Sequence, residues 1–385
     1  MIPYGRQHVS EQDIESVVAV LRSDFLTQGP AVPAFEAAVA AYTGGHHAVA
    51  VNSATSALHI ACMALGLGPG DLLWTSPNTF VASANCARYC GADVDFVDID
   101  PATYNMSPTS LAEKLAAARH SGRLPKIVMP VHFAGQSCDM QAIHALATEY
   151  GFAVIEDASH AIGARYRGQP VGCGQFSDIT VFSFHPVKIV TTGEGGMAVT
   201  NSARLAESMR MLRSHGITRD AGLFEGAPAG GWDYQQILLG YNYRLTDLQA
   251  ILGVSQMRQI DAFVRRRHEI AARYDTRLAG LPFDLPKRAA DGYSALHLYP
   301  VVARNTSKRR AIYDGLRAAG IGVNVHYIPV HLQPYYRRLG FRAGTYPNAE
   351  AYYAGAISLP IYFDLTDELQ DTVIASFTDA TSRLM

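Results

Sequence analysis

The sequence predicts an α/β protein. Between residues 46 and 200, short runs rich in β-branched residues alternate with longer Ala- and Leu-rich segments of helical period. The predicted strands are almost continuously apolar, which is typical of strands buried on both faces in a mostly parallel sheet covered by helices. No internal repeat of about 20–50 residues is visible, which argues against solenoids and propellers.

Seven apolar runs predict the strands of this sheet, and the segments between them predict helices. The predicted strands are residues 48–52, 72–76, 94–99, 126–133, 153–157, 179–184 and 196–200. The predicted helices include residues 56–67, 82–91, 110–119 and 140–151.

The last third of the chain has mixed strand and helix signals and predicts a smaller α+β domain. Before it, residues 218–235 predict a long loop, a kind of segment that is often functional. Apolar residues from Leu245 to Val264 recur near the helical period and predict one long connecting helix, with Arg265 to Arg267 on its solvent-exposed face. We therefore expect two domains, 1–255 and 256–385.

Composition narrows the class of protein. The 385 residues are 48% hydrophobic and 17% charged, which excludes disordered and fibrous chains. The net charge of −2 lacks the positive excess that favours nucleic-acid binding, so we expect small-molecule ligands and no nucleic acid. We also expect a cytoplasmic protein without a membrane span, because no apolar run reaches about 18 residues. Low charge with high apolar content further favours a subunit interface.

The five cysteines predict buried thiols rather than a metal site. They lie at positions 62, 86, 90, 138 and 173 without a CxxC motif, and no His or Cys pair near Cys86 and Cys90 completes a zinc ligand set. We expect no metal.

Polar residues follow three of the predicted strands, at the edge where open α/β sheets bind ligands. In NSATSALH, Asn52 or Ser53 can cap a helix whose first amides, from Ala54 and Thr55, point toward a phosphate. In EDASHA, Asp157 stands at the end of its strand. Taken singly, the first motif also fits an ordinary helix cap and the second a structural acid.

The third motif, FSFHPVKIVTTGEGG, places Ser183, His185 and Lys188 after a strand and before a Gly-rich turn. A lysine among Phe, Val and Ile is partly desolvated, which lowers its pKa and frees its amine for a Schiff base, although a single lysine there also fits a surface charge. A phosphate cradle, a carboxylate and a shielded lysine together fit pyridoxal 5′-phosphate (PLP).

An ordered set of motifs spans nearly the whole chain. NSATSALH, PNTFVASAN, EDASHAIG, FSFHPVK, TTGEGG, LRSHGI, GYNYRLTD and HYIPVHLQPYYR occur in this order and resemble the DegT/DnrJ/EryC1/StrS nucleotide-sugar aminotransferases. The resemblance implies the fold type I, aspartate-aminotransferase-like fold, PLP as cofactor, and a homodimer whose active sites use both subunits. IPYGRQ, SDFLTQGP and FSFHPVK look most like the UDP-4-amino-4,6-dideoxy-N-acetyl-β-L-altrosamine transaminases of pseudaminic acid synthesis.

The resemblance also implies roles for individual residues. Lys188 corresponds to the lysine that holds the cofactor's aldehyde and moves the proton, and Asp157 to the partner of the pyridine nitrogen. The remaining cofactor contacts implied by the motifs are Phe80 on the ring, His160 near the phenolic oxygen, and Ala54, Thr55, Ser183 and a partner subunit's Asn242 on the phosphate. The implied substrate contacts are Tyr4, Asp24, Phe25, Leu26, Thr27, His326, Tyr327, Ile328 and Pro329, while His185 is either an active-site group or a packed imidazole.

The implied reaction moves an amino group from L-glutamate to C4 of a UDP-linked 4-keto-6-deoxy-N-acetylhexosamine. The alternatives are a dTDP- or GDP-linked keto sugar or a C3 ketone, because pocket shape decides between them. Lys188 argues against the family's dehydratase branch, in which histidine replaces this lysine. A second class of hypothesis is a non-catalytic protein that binds PLP or a sugar nucleotide. The motifs do not identify the group that binds the donor's carboxylate, for which Arg244 is one candidate.

Overall fold

The computed structural model describes residues 1–382. The helices are α1 (Glu11–Leu21), α2 (Ala31–Thr43), α3 (Ala54–Ala64), α4 (Ala82–Tyr89), α5 (Pro108–Ser121), α6 (Met140–Tyr150), α7 (Ala203–Arg213), α8 (Asp247–Met257), α9 (Ile260–Arg277), α10 (Arg309–Ala318), α11 (Pro334–Arg338), α12 (Pro347–Gly355) and α13 (Asp367–Ser382). The strands are β1 (Ile2–Pro3), β2 (His47–Val51), β3 (Leu72–Thr75), β4 (Asp93–Phe96), β5 (Ile127–Met129), β6 (Ala153–Asp157), β7 (Arg165–Tyr166), β8 (Gln169–Pro170), β9 (Ile179–Ser183), β10 (Gly196–Thr200), β11 (Ile217–Thr218), β12 (Gln235–Gln236), β13 (Phe283–Asp284), β14 (Gly292–Tyr293), β15 (Tyr299–Ala303), β16 (Ile321–Gly322) and β17 (Ala356–Leu359).

A seven-stranded sheet forms the centre of the molecule, in the order β2-β10-β9-β6-β5-β3-β4. β10 runs antiparallel to both of its neighbours, and all other neighbouring strands are parallel. Every residue of β9 and β10 is buried, as the continuous apolar runs predicted. The predicted mostly parallel, seven-stranded α/β fold is therefore confirmed.

Each of the seven predicted strands overlaps a strand of this sheet, but two predictions are too long. The strand predicted at 94–99 ends at Phe96, and the one predicted at 126–133 ends at Met129. In the second case a single further bridge, between Val131 and Asp157, follows the strand before residues Phe133–Gly135 form a 3₁₀ turn. The four predicted helices correspond to α3, α4, α5 and α6, with shifted ends.

The predicted single helix through residues 245–264 is wrong. Two helices, α8 and α9, meet at Arg258 and Gln259, where the backbone N–H groups bond three residues back instead of four. The apolar spacing continues across the break, since Met257 and Ile260 are both buried. Periodicity therefore gave no sign of the change in direction.

The prediction that Arg265 to Arg267 all face solvent is also wrong. Arg265 is exposed, but Arg267 is only 2% exposed because it shares a helix face with Phe263 and Ile270. Its guanidinium NH1 donates to the carbonyls of Leu296, His297 and Ile361 at 3.0–3.2 Å. Arg267 thus joins α9 to two distant segments of the chain.

A second, three-stranded antiparallel sheet lies in the last third of the chain, in the order β13-β15-β17. Side chains from α9, α10 and α13, among them Tyr274, Leu316 and Phe377, form an apolar cluster with β15 and β17. β1 and β16 form a parallel pair, in which Ile2 lies opposite Ile321. A domain boundary after residue 255 stays a prediction, and residues 383–385 of the predicted second domain lie outside the described chain.

The predicted loop at 218–235 is closed at its base by the antiparallel pair β11 and β12. Within it, Trp232 is 76% exposed. Across residues 1–382, no helix combines the length and the apolar character needed to cross a bilayer. The same residues contain no group of three or more His, Cys, Asp or Glu side chains arranged to hold a metal ion.

Candidate active site

The carboxyl ends of β2, β6 and β9 meet at one edge of the central sheet, because these strands run in the same direction. Asp157 is the last residue of β6 and Ser183 the last residue of β9. Lys188 follows β9 by one short turn, in which its N–H bonds the His185 carbonyl. The structure thus brings the acid, the hydroxyl and the lysine to the edge where the sequence placed them.

Asp157 is buried, 4% exposed, and both of its carboxylate oxygens are held. Oδ2 accepts from the Ser83 hydroxyl at 2.6 Å, and Oδ1 accepts from the backbone N–H and hydroxyl of Ser159 at 3.1 and 2.6 Å. Its neighbour Glu156 points to the other face of the sheet, where it contacts His132 and Thr180. These donors fix the orientation of the Asp157 carboxylate.

Lys188 has the lowered pKa that its apolar neighbours predicted. Burial lowers the pKa of its amine to about 8, and the negative charge of Asp157 offsets part of that effect. At neutral to slightly alkaline pH a substantial fraction of this amine is therefore unprotonated, the form that attacks an aldehyde.

The first turn of α3 forms a tight backbone cradle. Ser53 is the N-cap and accepts from the Ser56 N–H, so Ala54 and Thr55 supply the first amides of the helix. Gly196 of β10 lies against this turn: a Cβ added there would be 2.5 Å from the Ala54 nitrogen and 2.4 Å from the Ser53 carbonyl carbon. Because Gly196 pairs with Ser183, that strand end lies beside the helix start. Amides at a helix start beside a hydroxyl suit an anion such as phosphate.

Aromatic and imidazole side chains stand above this edge. The Phe80 ring is 58% exposed and its centroid lies 6.2 Å from that of Tyr327. The Tyr327 hydroxyl is 3.1 Å from His160 Nε2, while His160 Nδ1 is buried and has no hydrogen-bond partner within residues 1–382. Burial and the charge of Lys188 hold the pKa of His160 well below its usual value, so the ring is neutral.

Sequence reasoning missed His297. Its ring centroid lies 4.4 Å from that of His160, it is 4% exposed, and its Nδ1 also has no partner within the described residues. Burial, His160 and Lys188 hold the pKa of His297 well below the usual histidine value. The available signal was the single imidazole within the otherwise apolar run ALHLY.

The predicted substrate residues fall into two groups. Tyr4 and His326 lie together, with ring centroids 5.2 Å apart, and burial lowers the pKa of His326 to about 3. Of the residues after Tyr327, Ile328 is 45% exposed whereas Pro329 is buried. His185 is exposed, which does not fit a packed imidazole.

The second group, Asp24 to Thr27, is exposed and lies beside the GYNYR segment through a bridge between Thr27 and Thr246. Asn242 in that segment is also exposed, while the next residue, Tyr243, accepts at 2.8 Å from the backbone N–H of Asn52. The predicted reach of Asn242 into a second subunit stays a prediction, as does the binding of a donor carboxylate by Arg244.

The chemistry of these residues suits PLP. They offer an oriented, buried carboxylate, a lysine of lowered pKa, backbone amides at the start of a helix, and a buried imidazole nitrogen without a hydrogen-bond partner in the described residues. The fold and the site together define a PLP-dependent aminotransferase. The sequence matches the model of the DegT/DnrJ/EryC1/StrS aminotransferase family over residues 7–378, and the chain belongs to this family. It is accordingly a PLP-dependent sugar aminotransferase.

Known relatives match over nearly their whole length. The chain is 40% identical to the spore coat polysaccharide biosynthesis protein SpsC of Bacillus subtilis, over 98% of this chain and 96% of that protein. It is 36% identical to the UDP-4-amino-4,6-dideoxy-N-acetyl-beta-L-altrosamine transaminase of Campylobacter jejuni, over 95% and 93%. Among solved structures, Helicobacter pylori PseC, an aminotransferase of pseudaminic acid biosynthesis, superposes with a TM-score of 0.92 at 29% identity, over 99% of both chains.

Proposed function

We propose that this protein transfers the amino group of L-glutamate to C4 of a UDP-linked 4-keto-6-deoxy-N-acetylhexosamine, namely UDP-2-acetamido-2,6-dideoxy-β-L-arabino-hexos-4-ulose, in pseudaminic acid biosynthesis. The observation that carries the proposal is the combined similarity to the Campylobacter transaminase and to PseC over almost the complete chain. The placement of Tyr4 and His326 together near Lys188 supports it, because two rings side by side offer stacking and hydrogen bonds to a sugar nucleotide.

In this proposal the protein's own groups bind, orient and move a proton. PLP, when bound, supplies an aldehyde that accepts the amino group and a ring that takes up electrons. Lys188 would hold that aldehyde and would then serve as general base and acid at the substrate carbon, a task suited to an amine whose pKa is lowered to about 8. Asp157, fixed by Ser83 and Ser159, would hold the proton on the pyridine nitrogen of the bound cofactor.

The remaining contacts position the reactants. Ala54, Thr55 and Ser183 bind the phosphate group through amides and a hydroxyl, with Asn242 of a second subunit completing the cradle in a homodimer. Phe80 would pack on the cofactor ring, and the unpartnered Nδ1 of His160 would hydrogen-bond its phenolic oxygen. We further propose that the protein acts in the cytoplasm.

The test is incubation of the PLP-loaded protein with L-glutamate and the UDP keto sugar, followed by mass spectrometry of the sugar nucleotide and assay of 2-oxoglutarate. We expect a 4-amino sugar and an equal amount of 2-oxoglutarate. Lys188→Ala should abolish turnover, and borohydride reduction followed by peptide mapping should place the cofactor on Lys188. Full turnover by Lys188→Ala, or labelling of another residue, would overturn the lysine assignment.

A second candidate is amino transfer to another nucleotide-linked keto sugar, such as a dTDP- or GDP-linked substrate or a C3 ketone. The observation that favours this second candidate is the 40% identity to SpsC, a protein of spore coat polysaccharide biosynthesis. Other keto sugars should therefore be tested in the same assay. Parallel reactions with dTDP- and GDP-linked keto sugars decide between the two, since pocket contacts set the ratio of kcat/KM values. If the protein binds PLP but turns over none of these keto sugars, the result would support the hypothesis of a non-catalytic protein that binds PLP or a sugar nucleotide.

A further inference from the structure

The imidazole of His297 packs on the imidazole of His160 at the edge of the candidate active site. The two ring centroids are 4.4 Å apart, and the ring planes are inclined at 41°. The rings of Phe133 and Tyr327 lie farther from His160, with centroids at 6.2 and 6.1 Å. Both histidines are buried, and burial holds the pKa of each well below the usual value, so both rings are neutral. The contact between them is therefore ring packing and not an ion pair.

The two nitrogens of His160 differ in their surroundings. Nε2 lies 3.1 Å from the Tyr327 hydroxyl, while Nδ1 is buried and has no hydrogen-bond partner within residues 1–382. Burial raises the pKa of Tyr327, so its hydroxyl keeps its proton and can donate it to Nε2. The neutral ring then carries its own proton on Nδ1. One hydrogen bond does not fix the plane of a histidine ring, because the torsion that turns the ring has broad minima.

A tightly held turn presents His297 to His160. Leu296, the residue before His297, has a φ of +51°, a left-handed conformation that residues other than glycine seldom adopt. The turn is tied to a neighbouring segment, because the backbone N–H of Ala295 donates to the Gly135 carbonyl at 2.9 Å. Such a conformation persists only where the surrounding structure imposes it, and it is commonest at functional sites.

The backbones of these segments are in close contact. A Cβ added to Gly135 would lie 2.8 Å from the Leu296 nitrogen and 2.9 Å from the His297 nitrogen. The same Cβ would lie 3.0 Å from the His160 carbonyl oxygen. From a further direction, Arg267 donates to the carbonyls of Leu296 and His297, each at 3.2 Å. The backbone of His297 is therefore fixed relative to that of His160.

We propose that His297 is a positioning residue, which packs on the His160 ring and holds it in the orientation in which Nδ1 donates to the phenolic oxygen of bound PLP. This inference rests on the proposed function, which assigns His160 to that oxygen. Without His297, the His160 ring keeps its contact with Tyr327 but turns more freely, so the hydrogen bond from Nδ1 is made only part of the time. A donor at the phenolic oxygen withdraws electron density and weakens the hold of that oxygen on the proton of the Lys188 nitrogen.

The test follows the absorbance of the PLP-loaded protein as the pH is raised, and its readout is the pH midpoint of the absorbance change. His160→Ala removes the donor and should raise the midpoint by about one pH unit, the size expected for one hydrogen bond to a charged group. His297→Ala should raise the midpoint by about half a unit to one unit. His297→Phe keeps an aromatic ring at this position and should restore the wild-type midpoint. A folded His297→Phe protein with the midpoint of His297→Ala would contradict the packing argument.

His268→Ala is the matched control. The His268 ring also packs on an aromatic ring, that of Tyr293, with centroids 4.3 Å apart. Its Nε2 lies 2.7 Å from the Ser294 carbonyl, so the substitution disturbs the same stretch of chain without touching His160. We expect the wild-type midpoint in this variant. A shift as large as that of His297→Ala would overturn the proposal, because it would follow from any loosening of this stretch.

The double variant His160→Ala/His297→Ala makes the decisive comparison. If His297 acts through His160, the double variant has the midpoint of His160→Ala alone, since no donor remains to be positioned. A further shift in the double variant, or the wild-type midpoint in folded His297→Ala, would overturn the proposal. Thermal unfolding shows which variants are folded, and His297→Asn, which also lacks a ring, replaces His297→Ala if that protein does not fold.

The same experiment separates this inference from the proposed function. An unchanged midpoint in His160→Ala would overturn the proposed contact between His160 and the cofactor, and this inference with it. An unchanged midpoint in His297→Ala, beside a shifted one in His160→Ala, would overturn this inference alone. The absorbance readout uses no sugar nucleotide, so neither result depends on which keto sugar the protein accepts.

Discussion

Gly196→Ala tests the backbone cradle at the start of α3. A Cβ at this position would lie 2.4 Å from the Ser53 carbonyl carbon and 2.5 Å from the Ala54 nitrogen, about 1 Å closer than carbon atoms normally approach. Both nearby atoms belong to the backbone, so no side-chain rotation can relieve the contact. Either the first turn of α3 must move away, or β10 must move and disturb its pairing with β2 and β9.

The expected size of the effect follows from what the first turn does in our proposal. Forced overpacking destabilises a protein by about 1–3 kcal/mol. Loss of one hydrogen bond from an amide to a charged phosphate costs a further ~1.5–3 kcal/mol of binding energy, which weakens PLP by about 10- to 100-fold. Pyridoxal, which has no phosphate group, should lose much less affinity.

The assay is titration of the apo-protein with PLP and with pyridoxal, followed by cofactor absorbance, with thermal unfolding measured in parallel. Gly68→Ala is the matched control, because an added Cβ there meets no atom within 4 Å. We expect the ratio of PLP affinity to pyridoxal affinity to fall in Gly196→Ala and to stay unchanged in Gly68→Ala. A folded Gly196→Ala protein with the wild-type ratio would refute the assignment of the α3 amides to the phosphate.

Three further predictions concern single side chains. Because the pKa of Lys188 is lowered to about 8, labelling of the apo-protein by PLP and borohydride should rise with pH with a midpoint near pH 8 and level off above about pH 9. Asp157→Asn removes the opposing charge, so its midpoint should be lower, and a wild-type midpoint near 10 would contradict the burial argument. Phe80→Leu should weaken PLP about 2- to 10-fold in titrations, while the unfolding free energy of this exposed position changes by less than about 0.5 kcal/mol. Arg267→Leu leaves three carbonyls without their donor and should lower the free energy of unfolding in urea by about 1–3 kcal/mol. The control Arg265→Leu should leave the free energy of unfolding unchanged. Equal effects of the two substitutions would show that the burial of Arg267 does not matter.

The sequence predicted best those features that depend on neighbouring residues along the chain, such as strands, strand ends and helix caps. All seven strands of the sheet were located because most of them are buried apolar runs, although β4 contains two aspartates and is exposed at Asp93. The strand ends at Asp157 and Ser183 were correct to the residue or nearly so. The cap at Ser53 was likewise visible, since a serine before an apolar helical segment is a local signal. The positions of the chemistry-bearing residues at one sheet edge followed from these elements alone.

What escaped prediction depends on contacts between distant segments. Arg267 belongs to a charged run and its burial is decided by carbonyls about 30 and 94 positions away. His297 meets His160 only after the chain has folded back over the sheet edge. The donor from Ser83 to Asp157 spans 74 positions. Periodicity and spacing cannot report such pairs, because they describe only neighbours along one element.

The short parallel pair of β1 with β16 has a consequence for how the molecule is assembled. Ile2 leaves the ribosome long before its strand partner, Ile321, is synthesised. The opening segment, and with it Tyr4, therefore cannot reach its place beside His326 until late in synthesis. We expect the large sheet to form earlier, so that the Tyr4 side of the candidate site is the last part to close.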